Sequence, residues 1–160
     1  MAQTRSYASD PAVPEFPDFP AFSVMDAHCA LCSWGAKWIA RNDDQQEFRI
    51  IPVQTELGRA LLEHYDLDPE DPNSWLFVYG GTAYKSSDAV IRAGMRLGGI
   101  SRLLAVGLLI PRPVRDWAYF FVARNRYRWF GQADMCNLPD AEVQKRLYLH
   151  DAPGAQRATS

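Results

Sequence analysis

Two cysteines with two residues between them, Cys29-Ala30-Leu31-Cys32, stand where the hydrophobic period of the chain changes. Before them Ala21-Phe22-Ser23-Val24-Met25 reads as a short strand that closes on Asp26. After them Leu31, Trp34 and Trp38, with Cys32, Gly35, Ala36 and Ile39 on the neighbouring stripe, recur at helical spacing up to Arg41. Asn42-Asp43-Asp44 ends that run. A cysteine at a helix N-terminus faces unpaired backbone N–H groups and the positive end of the helix dipole, and both favour the thiolate. Cys29 takes that place, and Cys32 follows within one turn, where its sulfur can reach the first. Exposure then predicts Cys29 as the attacking nucleophile and Cys32 as the resolving thiol that breaks a mixed disulfide. Such a pair works without a cofactor. Asp26 reads as a proton acceptor for Cys32 and organiser of the site, or as a helix cap. His28 reads as a stabiliser of the Cys29 thiolate or as a solvent-facing turn residue. His64 and His150 read as surface or helix-face residues.

The rest of the chain supplies the elements around this junction. Residues 48–53 form a second strand, with Pro52 near its end, and residues 56–65 return to helical spacing. Trp75 to Tyr79, Gly80-Gly81 and Thr82 to Tyr84 give a hairpin around a two-residue glycine turn. Ser87-Asp88 predicts the cap of a helix over 89–97 that Gly98-Gly99 ends. An apolar helix is expected over 101–110, then a long aromatic helix over 114–128 with Trp117, Phe121 and Ala118/Val122 inward. The order strand, helix, strand, helix, hairpin, helix, with a right-handed first crossover and CxxC at the first junction, predicts an α/β chain of thioredoxin-like fold with additional C-terminal helices. Residues 1–20 read as a flexible, Pro-rich arm, 21–139 as the domain with its helical extension, and 140–160 as a short helix and polar tail.

With 160 residues, 48% of them hydrophobic, the chain can bury one core of ordinary size. Its net charge of −2 is unevenly spread: residues 89–133 hold eight arginines against Asp116 alone, a balance of +7, which leaves −9 elsewhere. The arginine–aromatic stretch can present a basic face to an acidic partner. Nucleic acid is the weaker reading, because aromatics at helical spacing belong in a core and the arginines have acids to pair with. The first 22 residues, interrupted by four prolines, contain no apolar leader, and the longest apolar run, 103–110, is far below the roughly 20 residues that span a bilayer. A cytoplasmic protein is therefore expected, in which CxxC is catalytic, sensory or metal-binding. Structural zinc would need two further ligands, and only Cys136 and three scattered histidines remain.

Asp26-Ala27-His28-Cys29-Ala30-Leu31-Cys32 resembles the motif of the DCC family of thiol–disulfide oxidoreductases, named for its Asp, Cys and Cys. The resemblance extends to Ile51-Pro52-Val53-Gln54, to the Gly81 hairpin followed by Ser87-Asp88-Ala89, and to Ile110-Pro111-Arg112-Pro113. It continues through the run from Arg115-Asp116 to Tyr119, then Val122-Ala123-Arg124-Asn125-Arg126-Tyr127, Phe130-Gly131 and Cys136, and covers residues 22–139. It implies a thioredoxin-like fold and a redox role on a protein or small-molecule disulfide, with an undefined electron donor. Two departures stand out. Family members commonly carry Gly after the Asp and Pro after the first Cys, where this chain has Ala27 and Ala30. The cis-proline that thioredoxins hold against CxxC falls at Asn73 or Ser74 here, with Pro72 slightly early. The alternative is a non-enzymatic module of the same fold that binds a metal or an acidic protein, with CxxC as ligand or sensor. Cys136 stands apart as a buried residue, a third ligand or a second resolving thiol.

Overall fold

Strand β1 (Ala21–Met25) is buried at all five positions, which explains why its sequence is apolar on both faces. In the computed structural model, which describes residues 6–70 and 75–149, β1 lies inside a four-stranded sheet of order β2-β1-β3-β4. It pairs in parallel with β2 (Phe48–Pro52) and antiparallel with β3 (Leu76–Tyr79), which turns back into β4 (Thr82–Lys85). Gly80 and Gly81 sit at φ +56° and +80°, the left-handed pair that a two-residue hairpin turn requires. Pro72, Asn73 and Ser74, where the cis-proline position was counted, and His150 lie outside the described residues.

The two-residue period of the strands divides the core into two layers. Phe22, Val24, Ile51, Leu76 and Val78 face helix α2 (Glu56–His64), packing with its Leu57, Leu61 and Leu62. Gly58 lets α2 settle on the sheet, since a Cβ there would lie 2.2 Å from the Pro52 carbonyl oxygen. On the other face Ala21, Met25, Phe48, Ile50 and Phe77 meet Ala36 and Ile39 of α1 (Ala30–Asn42) and Ala89 and Ala93 of α3 (Ser86–Leu97). Val143 of α5 (Ala141–Arg146) joins this layer. A buried ion pair fastens α5 to the end of α1: Arg146 Nε lies 3.1 Å from Asp43 Oδ2. This is the thioredoxin-like arrangement expected of the element order.

Four local expectations change. The segment read as a flexible arm is packed from Ser6 onward: Tyr7 and Val13 are buried, and Phe16 and Phe19 lie against the same layer. Its aromatics cover apolar sheet surface that α2 leaves open. Helix α3 starts at Ser86, before the predicted Ser87-Asp88 cap, and has no side-chain cap. Ser87 instead donates to Asp116, and Asp88 pairs with Arg115. The apolar run is a 3₁₀ segment, Gly99–Leu109, with only Ser101 buried. It leans on α3 through Leu104, which fills the space left by Gly94, and through Gly107 against Ile91.

The fourth change concerns the long helix, α4 (Arg112–Phe130). Trp117 and Phe121, expected inside, are 69% and 49% exposed. The buried residues of α4 are Ala123 and Arg126, because the pairings of Arg115 with Asp88 and Arg126 with Asp26 fix its rotation. Among the described residues, no helix is long and apolar enough to cross a membrane.

Candidate active site

Cys29 is the N-cap of α1, and its Sγ accepts the Cys32 backbone N–H at 3.4 Å. The thiol of Cys32 also donates to Cys29, and this bond is the main reason the Cys29 pKa falls to about 6. Burial opposes the fall, while the N–H groups of Cys32 and Leu31 and the charge of Arg126 assist it. Cys32 moves the other way, well above the ordinary thiol range, as the donor in that bond and as a buried group near Cys29 and Asp26. One thiolate and one held proton therefore share a single helix start. The expectation that exposure separates the two thiols is not met. Cys29 has no solvent-accessible surface, whereas Cys32 is half-buried.

A strap from the end of α4 covers Cys29. Gly131 offers its carbonyl to the Ala30 N–H, Gln132 bridges to Cys29 in antiparallel fashion, and Ala133 N–H donates to the His28 carbonyl. Met135 N–H then reaches the Ala27 carbonyl. These bonds replace the pairing that a loop at the helix start would otherwise find only in water.

Asp26 is 4% exposed and is the hub beneath the cysteines. Its Oδ1 accepts from the His28 N–H at 2.9 Å and from Gln54 Nε2 at 2.8 Å. Its Oδ2 accepts from the Tyr127 hydroxyl and lies 3.4 Å from Arg126 Nη2. The N-cap of α1 is Cys29 rather than Asp26, whose carboxylate gathers these four donors instead. His28 is exposed, and its bond to Asp26 is made by its backbone N–H rather than its ring. Cys136 lies half-buried in the Met135–Asn137 turn, where burial raises its pKa. His64 is a helix-face residue at the end of α2, and its ring bonds Ser6 and Asp10. Among the described residues no three His, Cys, Asp or Glu side chains gather as metal ligands.

Residue-by-residue reading did not single out Gln54, Tyr119, Arg126 and Tyr127. The signal was available in the resembling segments that contain Gln54, Tyr119 and Arg126-Tyr127. Tyr119 accepts the Trp75 N–H at 2.8 Å, and its burial lifts its pKa to about 12. With Leu31, Cys32, Val53, Leu62, Trp75 and Ala123, it lines a mainly apolar pocket of about 100 Å³ that reaches Asp26 and Arg126.

A parallel β-α-β start, a hairpin edge and a dithiol at the first helix start define a thioredoxin-like protein. The chain belongs to the DCC1-like thiol-disulfide oxidoreductase family, whose model matches residues 23–132. It is similar to the uncharacterized protein YuxK of Bacillus subtilis (strain 168), with 34% identity over 124 residues, 78% of this chain and 90% of that one. It is also similar to a chloroplastic DCC family protein of Arabidopsis thaliana, with 34% identity over 116 residues, 72% of this chain and 67% of that one. No solved structure matches the chain. Family membership supports a redox function.

Proposed function

We propose that this protein is an enzyme that exchanges its Cys29/Cys32 dithiol with a protein or small-molecule disulfide in a reducing, cytoplasmic setting. The observation that carries the reading is the placement of both thiols at one helix start, where Cys29 is the N-cap and its Sγ accepts the Cys32 N–H at 3.4 Å, with the Cys29 pKa lowered and the Cys32 pKa raised. The Cys29 thiolate attacks one sulfur of the substrate disulfide, forming a mixed disulfide and expelling the other half as a thiolate. Cys32 then loses its proton, with Asp26 as the nearby acceptor and organiser, and attacks Cys29 Sγ. The second half of the substrate leaves as a thiolate, and the Cys29–Cys32 disulfide remains. The substrate has gained two electrons and the protein has lost two. An external thiol donor restores the dithiol, so the cycle needs no bound cofactor. Cys136, whose pKa is raised by burial, has no place in this cycle.

The test is turnover of a model disulfide by single-cysteine variants. Cys29→Ser abolishes turnover, Cys32→Ser accumulates a mixed disulfide visible by mass spectrometry, and Cys136→Ser stays within a few-fold of wild type. Loss of turnover in folded Cys136→Ser, or trapping on Cys32 in place of Cys29, overturns the assignment.

A further inference from the structure

The exposed large apolar side chains are not scattered. Among the described residues, all but Trp34, Tyr79 and Met95 fall between Ile100 and Phe130. On α4, Val114, Trp117, Phe121, Arg124 and Arg128 follow one another at steps of three and four, so they share one face. That face is opposite the one holding Ala123 and Arg126. Trp117 stacks on Phe121 with ring centroids 5.7 Å apart, and Trp129 meets Phe121 edge-on at 5.4 Å. The 3₁₀ segment that runs into α4 adds Leu109, 84% exposed, and Ile100, 71% exposed. A monomer rarely leaves so continuous an apolar surface without a use for it.

Charge decides what covers it. Arg112, Arg115 and Arg126 are neutralised by Asp88, Asp116 and Asp26. Arg102, Arg124 and Arg128 are exposed, with no acidic partner among the described residues. Residues 99–133 contain one acid, Asp116, and it is occupied by Arg112 and Ser87. A two-fold contact between copies would set Arg124 and Arg128 against the same arginines with nothing to neutralise them. We propose that the outer face of α4, with the 3₁₀ segment before it, rests on an anionic lipid surface. The apolar rings enter the interfacial layer, and Arg102, Arg124 and Arg128 reach the lipid phosphates. The surface is distinct from the dithiol, which the inner face of the same helix supports through Arg126 and Tyr127. Docking therefore leaves the cysteines on the aqueous side.

The full chain is to be sedimented with vesicles of phosphatidylcholine, with and without phosphatidylglycerol. It binds the phosphatidylglycerol vesicles, its tryptophan emission moves to the blue, and added salt weakens the binding. Arg124→Gln/Arg128→Gln lowers partitioning about thirtyfold, at roughly fivefold per basic residue. Trp117→Ser/Phe121→Ser removes the emission shift. Both pairs are exposed, so their thermal midpoints stay at the wild-type value. Equal binding to both vesicle types, or unchanged partitioning of the arginine pair, overturns the proposal. So does a dimer in sedimentation equilibrium that either pair dissolves, or binding of polyglutamate at this face by a protein that ignores vesicles.

Discussion

Arg126 and Asp26 stand 100 positions apart in the chain and face each other in its interior, with Nη2 3.4 Å from Oδ2. Their side chains are only 6% and 3% exposed. Two charges this deep are retained at a desolvation cost, so removing one partner does more harm than the pair's own attraction suggests. The two removals are not equivalent. Without Arg126, Asp26 keeps three donors, the His28 N–H, Gln54 and Tyr127. In Asp26→Asn the new amide group faces at least one donor and removes the carboxylate charge opposite Arg126. We expect Asp26→Asn to cost about 3–5 kcal/mol in urea unfolding, and Arg126→Gln less. The double variant recovers part of the loss. Independent, additive costs would show that the two residues do not act as a pair.

Asp26→Asn also separates the two steps of the dithiol cycle. If Asp26 accepts the Cys32 proton, release of a trapped mixed disulfide slows more than its formation. Stopped-flow measurement of each step checks this. Equal slowing of both assigns Asp26 a purely structural role.

The Cys29 thiolate makes a prediction in pH. Iodoacetamide labelling of reduced protein has its inflection near pH 6 at Cys29, and Cys32→Ala moves it upward by removing the side-chain donor that contributes most. Folding is linked to the same groups. Because the Cys29 pKa is depressed to about 6, the folded reduced chain has given up this proton between there and the ordinary thiol range, where the unfolded chain still holds it. Stability of the reduced form rises with pH across that window and falls away as pH drops through 6. Above it Cys32, whose pKa is raised, acts in the opposite sense. A labelling inflection at the ordinary thiol value refutes the assignment.

Coverage of Cys29 by the strap makes labelling slow even when the sulfur is ionised, since the reagent must wait for residues 131–133 to open. Ala133→Pro deletes the N–H that bonds the His28 carbonyl and loosens the strap at one point. We expect faster labelling of Cys29 with the pH inflection unchanged. Thermal melting distinguishes local opening from general unfolding, and an unchanged rate in a folded variant shows that the strap does not gate access.

Much of the fold was legible because strand and helix periods differ and the glycine hairpin is local. The cysteines were legible for the same reason: the strand-to-helix change and the CxxC spacing lie within a dozen residues. The contacts that complete the site were not. Gln54, Arg126 and Tyr127 reach Asp26 from 28, 100 and 101 positions away, and no local pattern reports such distances. The inward face of α4 was misjudged because hydrophobic periodicity predicts burial only when apolar contacts set the rotation. Here ion pairs with Asp26 and Asp88 set it, and the rings turn outward. Exposure of the two thiols failed as a guide because the covering strap follows a helix that ends a hundred residues later.

The N-terminal segment misled for a related reason: four prolines signal an absence of regular structure, which is different from an absence of packing. Tyr7 stacks on Phe16 with centroids 5.5 Å apart and meets Phe22 of β1 edge-on at 5.7 Å. Ser6 and Asp10 take the two ring nitrogens of His64 at the end of α2. Bonding to His64 lowers the Asp10 pKa from its ordinary value, so this contact is in place at neutral pH and is lost as acid protonates the carboxylate. Removing the buried Tyr7 ring opens a cavity against Phe16 and Phe22, and Tyr7→Ala is expected to cost about 3 kcal/mol in urea unfolding. His64→Ala leaves the ring stack in place and costs less, but it exposes the segment to limited proteolysis, a susceptibility that wild type acquires only on acidification. A Tyr7→Ala variant as stable as wild type would return the segment to the status of a loose arm.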